Sequence, residues 1–322
     1  MNLKDFIKNF QRATARYGLF TFSWLAKWVP LKAVRILATG ATAVGFCLVI
    51  KQRRFAKESL QTAFGNEKTP QEIDHIIQKC FYNLSQGMTE MLYFLSHHKD
   101  VSGYVFFEGK EHLDRALGQG RGVIAVTAHF GSFPLMMLHC ALSGYPTNAI
   151  LRPTRDQKIE EYLSRRRKES GIKGIYAIPR RECVVNSLKV LRNNELLFIP
   201  LDQNFGSGGG VFVDFFGQKA ATATGPVVLA RRTGSPILPM FIIRQDDNRH
   251  KIIVEPPFVL ETTDNEEQDI FKNIARLTAL IEQYIRRYPH EWGWMHRRWK
   301  SKQPNDSGTN EARKDLKPHG TQ

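Results

Sequence analysis

Acidic residues are in short supply: 31 Asp and Glu stand against 46 Lys and Arg, leaving a net charge of +15 over 322 residues. Such an imbalance calls for an anionic partner, whether nucleic acid, acidic lipid or a phosphorylated substrate. Cysteine is sparse. Cys47, Cys80, Cys140 and Cys183 are scattered and form no C-x-x-C pair, which argues against a zinc site or a disulfide framework and fits a reducing compartment. No G-x-S-x-G elbow, P-loop or H-E-x-x-H is present, so the common serine-hydrolase, nucleotide and zinc-protease chemistries have no footing. No internal repeat is visible. No apolar stretch reaches the roughly 20 residues that span a bilayer; the run Ile36–Ile50 has 15 and contains Gly40 and Gly45.

What is there is concentrated at the start. Residues 1–57 carry eleven Lys or Arg against the single Asp5, together with Phe6, Phe10, Phe20, Phe22, Trp24 and Trp28. Basic residues interleaved with aromatics, followed by an apolar run, point to an anionic membrane surface rather than to nucleic acid. The expectation is a helical, membrane-associating segment over 1–57; a buried hairpin and a spanning helix are the alternatives. Flanking positive charge keeps the rest of the chain on the cytoplasmic side. Residues 51–70 read as a linking helix and turn. From Gln71, the positions Ile73, Ile76, Ile77, Cys80, Phe81, Leu84, Met88, Met91 and Leu92 follow helical spacing, giving a long helix with one apolar face.

From Val105 onward short apolar runs alternate with amphipathic segments. Strands are expected at 105–107, 122–128, 148–151, 175–178, 196–201, 237–243 and 251–255, and helices at 111–117, 135–142, 157–170, 182–192, 226–232 and 266–287. Strands separated by helices predict an α/β fold, a mixed and mostly parallel sheet covered on both faces, in a domain over 58–300. Ser301 to Gln322 lacks apolar periodicity and reads as a disordered tail.

The chemistry gathers at Ala125-Val-Thr-Ala-His129-Phe-Gly-Ser-Phe-Pro134. A buried strand ends at His129, a turn follows at Gly131 and Ser132, and Pro134 suits a first helical turn. In α/β sheets that carboxyl edge is where ligands bind. An imbidazole there is suited to take a proton near neutral pH, and amides around Gly131 and Ser132 to hold an oxyanion. Arg152, in Leu151-Arg-Pro-Thr-Arg155-Asp156, ends the next strand, where a guanidinium suits phosphate or carboxylate; an ion pair with Asp156 is the plainer reading. Arg180 repeats the arrangement one strand later. Asp202, in Pro200-Leu-Asp-Gln-Asn204, reaches the same edge and orients His129, pairs with Arg152 or caps its loop. Gly206-Ser-Gly-Gly-Gly210 leads into a strand-like segment instead of a helix, so a lid fits better than a dinucleotide loop. Lys219 and Thr222, in the Phe215–Pro226 stretch, suit a polar head group. His139 reads as a core residue. No metal site and no cofactor are expected.

Together these residues resemble the late acyltransferases of lipid A biosynthesis, within the wider lysophospholipid acyltransferase group. The resemblance covers about residues 50–300. It is carried by Phe107-Glu-Gly-Lys-Glu-His-Leu-Asp114, Gly120-Arg-Gly-Val, Ala128-His-Phe-Gly-Ser, Arg152-Pro153, Leu201-Asp-Gln203, Val211-Phe-Val-Asp-Phe-Phe-Gly217 with Ala221-Thr222, and Tyr288-Pro-His-Glu-Trp-Gly-Trp-Met-His-Arg-Arg-Trp-Lys300. It implies a glycerolipid-acyltransferase-like fold at the cytoplasmic face of the inner membrane. It also implies acyl transfer from acyl carrier protein or acyl-CoA to a hydroxyl of a glycolipid. The family pattern is a histidine, four residues, then Asp or Glu. Here Pro134 stands at that place, and no carboxylate occurs between His129 and Asp156. Either Asp202 or Glu108 comes within reach of the imidazole in the fold, or the chain is slow, or it is a lipid-binding homologue that does not catalyse.

Overall fold

The structure is a computed structural model that describes residues 3–65, 67–206 and 210–303. The chain opens with helices α1 (Leu3–Leu25), α2 (Leu31–Leu48), α3 (Ile50–Phe64) and α4 (Pro70–Phe94). A short α5 (Val101–Tyr104) leads into β1 (Val105–Glu108), α6 (Lys110–Leu117), β2 (Val123–Thr127), α7 (Phe133–Leu142) and β3 (Thr147–Leu151). Then come α8 (Gln157–Glu169), β4 (Ile172–Tyr176), α9 (Arg180–Arg192), β5 (Leu196–Pro200), β6 (Val211–Phe215) and β7 (Gln218–Thr222). The order closes with α10 (Gly225–Thr233), β8 (Ile237–Arg244), β9 (His250–Val254) and α11 (Glu266–Arg287).

Seven strands form one sheet in the order β1-β9-β8-β2-β5-β3-β4. The pairings β8–β2, β2–β5, β5–β3 and β3–β4 are parallel, and only β8–β9 is antiparallel. The expected mixed, mostly parallel sheet is what forms. Its central strand β2 is buried at every residue, as a strand covered on both faces must be. Two apolar clusters fill the two sides: Ile124, Val126, Leu197 and Ile199 face one, while Val123, Ala125, Leu196 and Phe198 face the other.

α4 starts where the sequence chemistry fixes it. Thr69 caps it, its hydroxyl accepting from the Glu72 amide while the Glu72 carboxylate accepts from the Thr69 amide at 2.7 Å, and Pro70 occupies the first turn. Its face Ile73, Ile76, Ile77 and Cys80 is buried, but Met88 is 53% exposed, so the apolar stripe is not buried throughout.

Two expectations shift. The strand expected at 175–178 runs over Ile172–Tyr176 instead. It is an edge strand, it begins directly after Gly171 at φ 79°, and its inward residues are Ile172 and Ile175, while Ile178 is 68% exposed. The Phe215–Pro226 stretch, where no strand was expected, enters a second sheet, the antiparallel hairpin β6–β7. Phe216 and Gly217 join its strands, both at positive φ (54° and 69°), the geometry that matches strand twist in a two-residue turn. The Phe216 amide donates to Glu282 on α11 at 2.6 Å, which holds a strained aromatic residue in place. Residues 207–209 of the expected lid and 304–322 of the expected tail lie outside the described residues.

α2 packs along α4. Its inward residues Leu31, Val34 and Ala38 are buried. Thr42 donates to Ser85 at 2.6 Å, and Gln86 donates to Thr39 and to the Arg35 carbonyl. Its outward side carries Ile36, Leu37, Val44 and Leu48, each more than 60% exposed. Among the described residues, α2 alone is long and apolar enough by length and composition to cross a membrane.

Candidate active site

β2 and β5 are adjacent and parallel, in a register that sets Thr127 beside Pro200. The Leu201 amide extends the ladder by one bond to the Thr127 carbonyl at 2.9 Å. Two residues past Thr127 is His129, and two past Pro200 is Asp202. Strand register alone therefore brings the two side chains abreast at the carboxyl edge.

They meet. His129 Nδ1 lies 2.9 Å from Asp202 Oδ1, and the His129 amide donates to Oδ2 at 2.9 Å. The indole Nε1 of Trp292 donates to the same Oδ2 at 2.7 Å. Asp202 is 1% exposed. Burial pushes its carboxyl up, but the imidazole, the indole and the backbone amide together hold it well below the usual carboxylate range. An ionised carboxylate only accepts, so Nδ1 of His129 carries the proton and Nε2 presents a lone pair. Burial works against charging this imidazole; Asp202 outweighs it and holds the His129 pKa above its ordinary 6.5.

The rest of the wall comes from the C-terminal Trp-Gly-Trp-Met-His motif. Phe130 and Trp292 form an isolated antiparallel bridge. Around it the Gly131 amide donates to the Glu291 carbonyl at 2.8 Å, and the Gly293 amide to the His129 carbonyl at 3.1 Å. Gly131 has φ 54°, and a Cβ there would stand 2.1 Å from the Ile242 carbonyl, so only glycine fits. His296 follows, its ring 5.0 Å from that of His129, with Phe133 at 4.9 Å on another side. A Cβ on Gly293 would stand 2.9 Å from the His296 ring. Burial, and then the neighbouring His129, pull the His296 pKa down, so it is neutral at pH 7. Arg298 is buried and donates to the carbonyls of Ala221 (2.6 Å) and Gln203 (3.3 Å) and to the Thr222 hydroxyl. It ties the hairpin to the loop that carries Asp202.

The other expected residues are distributed as follows. Arg152 is exposed just past β3, the neighbour of β5 on the side away from β2. The ion pair weighed for Asp156 forms with Arg16 at 3.2 Å, while Asp156 also caps α8 through the Ile159 amide at 3.1 Å. Arg180, at the start of α9, lies over the Phe205 ring at 4.8 Å. The amide of Gly131 is engaged with Glu291, and the hydroxyl of Ser132 is buried and donates to the Gly87 carbonyl at 3.3 Å, so neither points at the imidazole. Lys219 pairs with Asp214 across the hairpin at 3.1 Å. Thr222 is fully buried, donating to Ala220 while Arg298 donates to it. A polar head group would not meet that hydroxyl without displacing Arg298. His139 is buried against Phe107, its ring 4.8 Å away, with its pKa pushed down to about 4 by burial. Sequence reading passed over Trp292, His296, Arg298 and Gln203. The first three lie inside the quoted C-terminal motif, and Gln203 lies next to Asp202, but nothing in their spacing tells which strand end they close on.

An imidazole held by a buried carboxylate, with its second nitrogen 3.0 Å from Gln203 Nε2, has the geometry that a general base needs. A family model described as bacterial lipid A biosynthesis acyltransferase matches residues 8–301. The chain is 27% identical over 303 residues to the lipid A biosynthesis palmitoleoyltransferase of Escherichia coli strain K12, covering 91% of this chain and 94% of that one. It is 24% identical over 283 residues to the lipid A biosynthesis lauroyltransferase of the same organism, covering 87% and 89%. A solved 1-acyl-sn-glycerophosphate acyltransferase from Thermotoga maritima aligns with TM-score 0.34 and 14% identity, covering 74% of this chain and 95% of that one.

Proposed function

The chain belongs to the bacterial lipid A biosynthesis acyltransferases, and from that premise we propose that it moves a fatty acyl chain from an acyl carrier protein or acyl-CoA thioester to a hydroxyl of a lipid A precursor. The observation that carries this reading is the hydrogen bond between His129 and Asp202. The acid that the family places five residues after the histidine is here Pro134, and Asp202 supplies the same charge from the neighbouring strand. That contact favours the catalytic reading over a non-catalytic one.

In the reaction, Nε2 of His129 takes the proton of the acceptor hydroxyl as its oxygen bonds to the thioester carbonyl carbon. The carbonyl π pair moves onto oxygen, giving a tetrahedral oxyanion. When the C=O re-forms, the C–S bond breaks, and the leaving thiolate takes the proton back from Nε2. An ester and a free thiol result, and His129 ends neutral. Asp202 keeps the proton on Nδ1 and stabilises the imidazolium between the two steps. Holding both substrates in one place supplies much of the remaining barrier reduction. Arg152, exposed at the same sheet edge, is suited to grip an acceptor phosphate, with Arg180 extending the rim.

The reading includes place as well as chemistry. The basic, aromatic segment 1–57 associates with the cytoplasmic face of the inner membrane, and the outward residues of α2 meet its acyl layer. The test is turnover of acyl carrier protein thioesters with purified lipid A precursors by the parent and by His129→Ala. Loss of at least about 10³-fold is expected for a missing general base; equal turnover by the two proteins refutes the mechanism.

A further inference from the structure

Several N–H groups beside the base already have acceptors. The Gly131 amide donates to Glu291, and the His129 amide and Trp292 indole both donate to Asp202. A tetrahedral intermediate formed at this base still needs hydrogen bonds on its charged oxygen. One side-chain donor stands at the spot. Gln203 Nε2 is 3.0 Å from His129 Nε2, and with Nδ1 protonated toward Asp202 the carboxamide N–H is the donor to the imidazole lone pair. Gln203 is itself exposed. Its backbone is anchored on both sides: Asp202 precedes it in the buried pair, and Arg298 holds its carbonyl at 3.3 Å. An exposed side chain thus sits on an anchored backbone at the one nitrogen the substrate must reach.

We propose that Gln203 is a catalytic residue of this site: its carboxamide occupies the hydroxyl's position in the resting enzyme and, displaced by the acceptor, donates to the oxyanion. The proposal rests on the acyl-transfer reading above. An acceptor hydroxyl bound to Nε2 places the thioester carbonyl within roughly 3–3.5 Å of its own oxygen. A group that reaches Nε2 by rotation about its side-chain bonds reaches the carbonyl oxygen beside it by a small further rotation. The carboxamide has two N–H groups and no charge, so it stabilises the oxyanion without altering the proton balance of the step. Before substrate arrives, the same bond holds the imidazole ring in the orientation that Asp202 sets.

The experiment measures kcat and KM for the purified full-length chain with a dodecanoyl acyl carrier protein thioester and a lipid A precursor. Parent, His129→Ala, Gln203→Ala and Gln203→Glu are compared, with thermal unfolding of each. Rates are read on the alkaline plateau, where His129 is neutral in every protein that has it, so a shifted titration does not mimic a lost donor. Gln203→Ala and Gln203→Glu, the latter equal in size without the amide donors, are each expected to lose about 10²–10³ in kcat. KM for neither substrate rises, and the melting temperature stays at the parent value. Parental kcat in either variant overturns the proposal, as does a loss confined to KM for the acceptor, or one that follows a fall in melting temperature. An inactive His129→Ala beside fully active Gln203 variants removes this proposal alone. A His129→Ala as active as the parent removes the acyl-transfer mechanism with it.

Discussion

Glu90 is a carboxylate with no solvent around it, and its neighbours explain why it stays charged. Its side chain is fully buried, and it accepts from Arg35 Nε at 2.7 Å, Arg244 Nη2 at 2.7 Å and His250 Nε2 at 2.8 Å. Burial alone raises a carboxyl pKa; the bonds from His250 and Arg244 reverse that and hold Glu90 down to about 2. Its contribution to stability is therefore complete above its ordinary value of 4.5 and drains away as pH falls from there toward 2. Glu90→Gln leaves two guanidinium groups facing an uncharged amide, and a loss of about 3–5 kcal/mol in unfolding free energy is expected. Urea unfolding at neutral pH measures it, and a loss below 1 kcal/mol, the level of a surface pair, contradicts the assignment. Asp202 is built on the same logic, since every oxygen of a buried carboxylate has its donor. There, however, one of the donors is His129, the proposed base, and on that proposal the stabilised charge is used in the reaction.

At the scale of elements, α2 has two apolar sides with different neighbours. The inward side is occupied by α4, and Arg35 is fixed to Glu90, so the helix is fastened to α4. The outward side leaves Ile36, Leu37, Val44 and Leu48 exposed, and Trp24 and Trp28 are 60% and 76% exposed just ahead of it. Exposed apolar residues in a row mark a surface made for something other than water. With the basic residues of 1–57, a bilayer containing anionic lipid is the partner whose chemistry matches. Leu37→Glu combined with Val44→Glu is expected to lower binding to phosphatidylglycerol vesicles by more than tenfold, since each buries a charge where about 1.5–3 kcal/mol of apolar transfer was gained. Sedimentation with vesicles measures it; unchanged binding shows that this face is not the one the membrane meets.

For the molecule as a whole, the sequence carried the alternation of elements and lost the pairings between them. Most strand and helix limits were legible because buried parallel strands are short unbroken apolar runs and α11 keeps its period over Glu266–Arg287. The β6–β7 hairpin was not legible, because its turn is Phe216-Gly217, with an aromatic residue where Asn or Asp is usual. His129 was legible from its place at a strand end. Its partner was not, since three roles for Asp202 were open until the strand order set β5 beside β2. The wall made by Trp292, His296 and Arg298 depends on a segment some 160 residues downstream folding back onto the His129 turn, and contacts at that separation leave no local periodicity.

The central claim is that Asp202 does the work of the acid missing at position 134, and the pH dependence of kcat/KM for the parent and Asp202→Asn tests it most directly. His129 acts only when neutral, and its pKa lies above 6.5 because of Asp202, so the parent's activity is expected to rise with pH through a midpoint above that value. In Asp202→Asn the carboxylate is gone and burial acts unopposed, so the midpoint moves to lower pH and the plateau falls by about 10⁴-fold. A variant with the parent's plateau and the parent's midpoint would contradict the account.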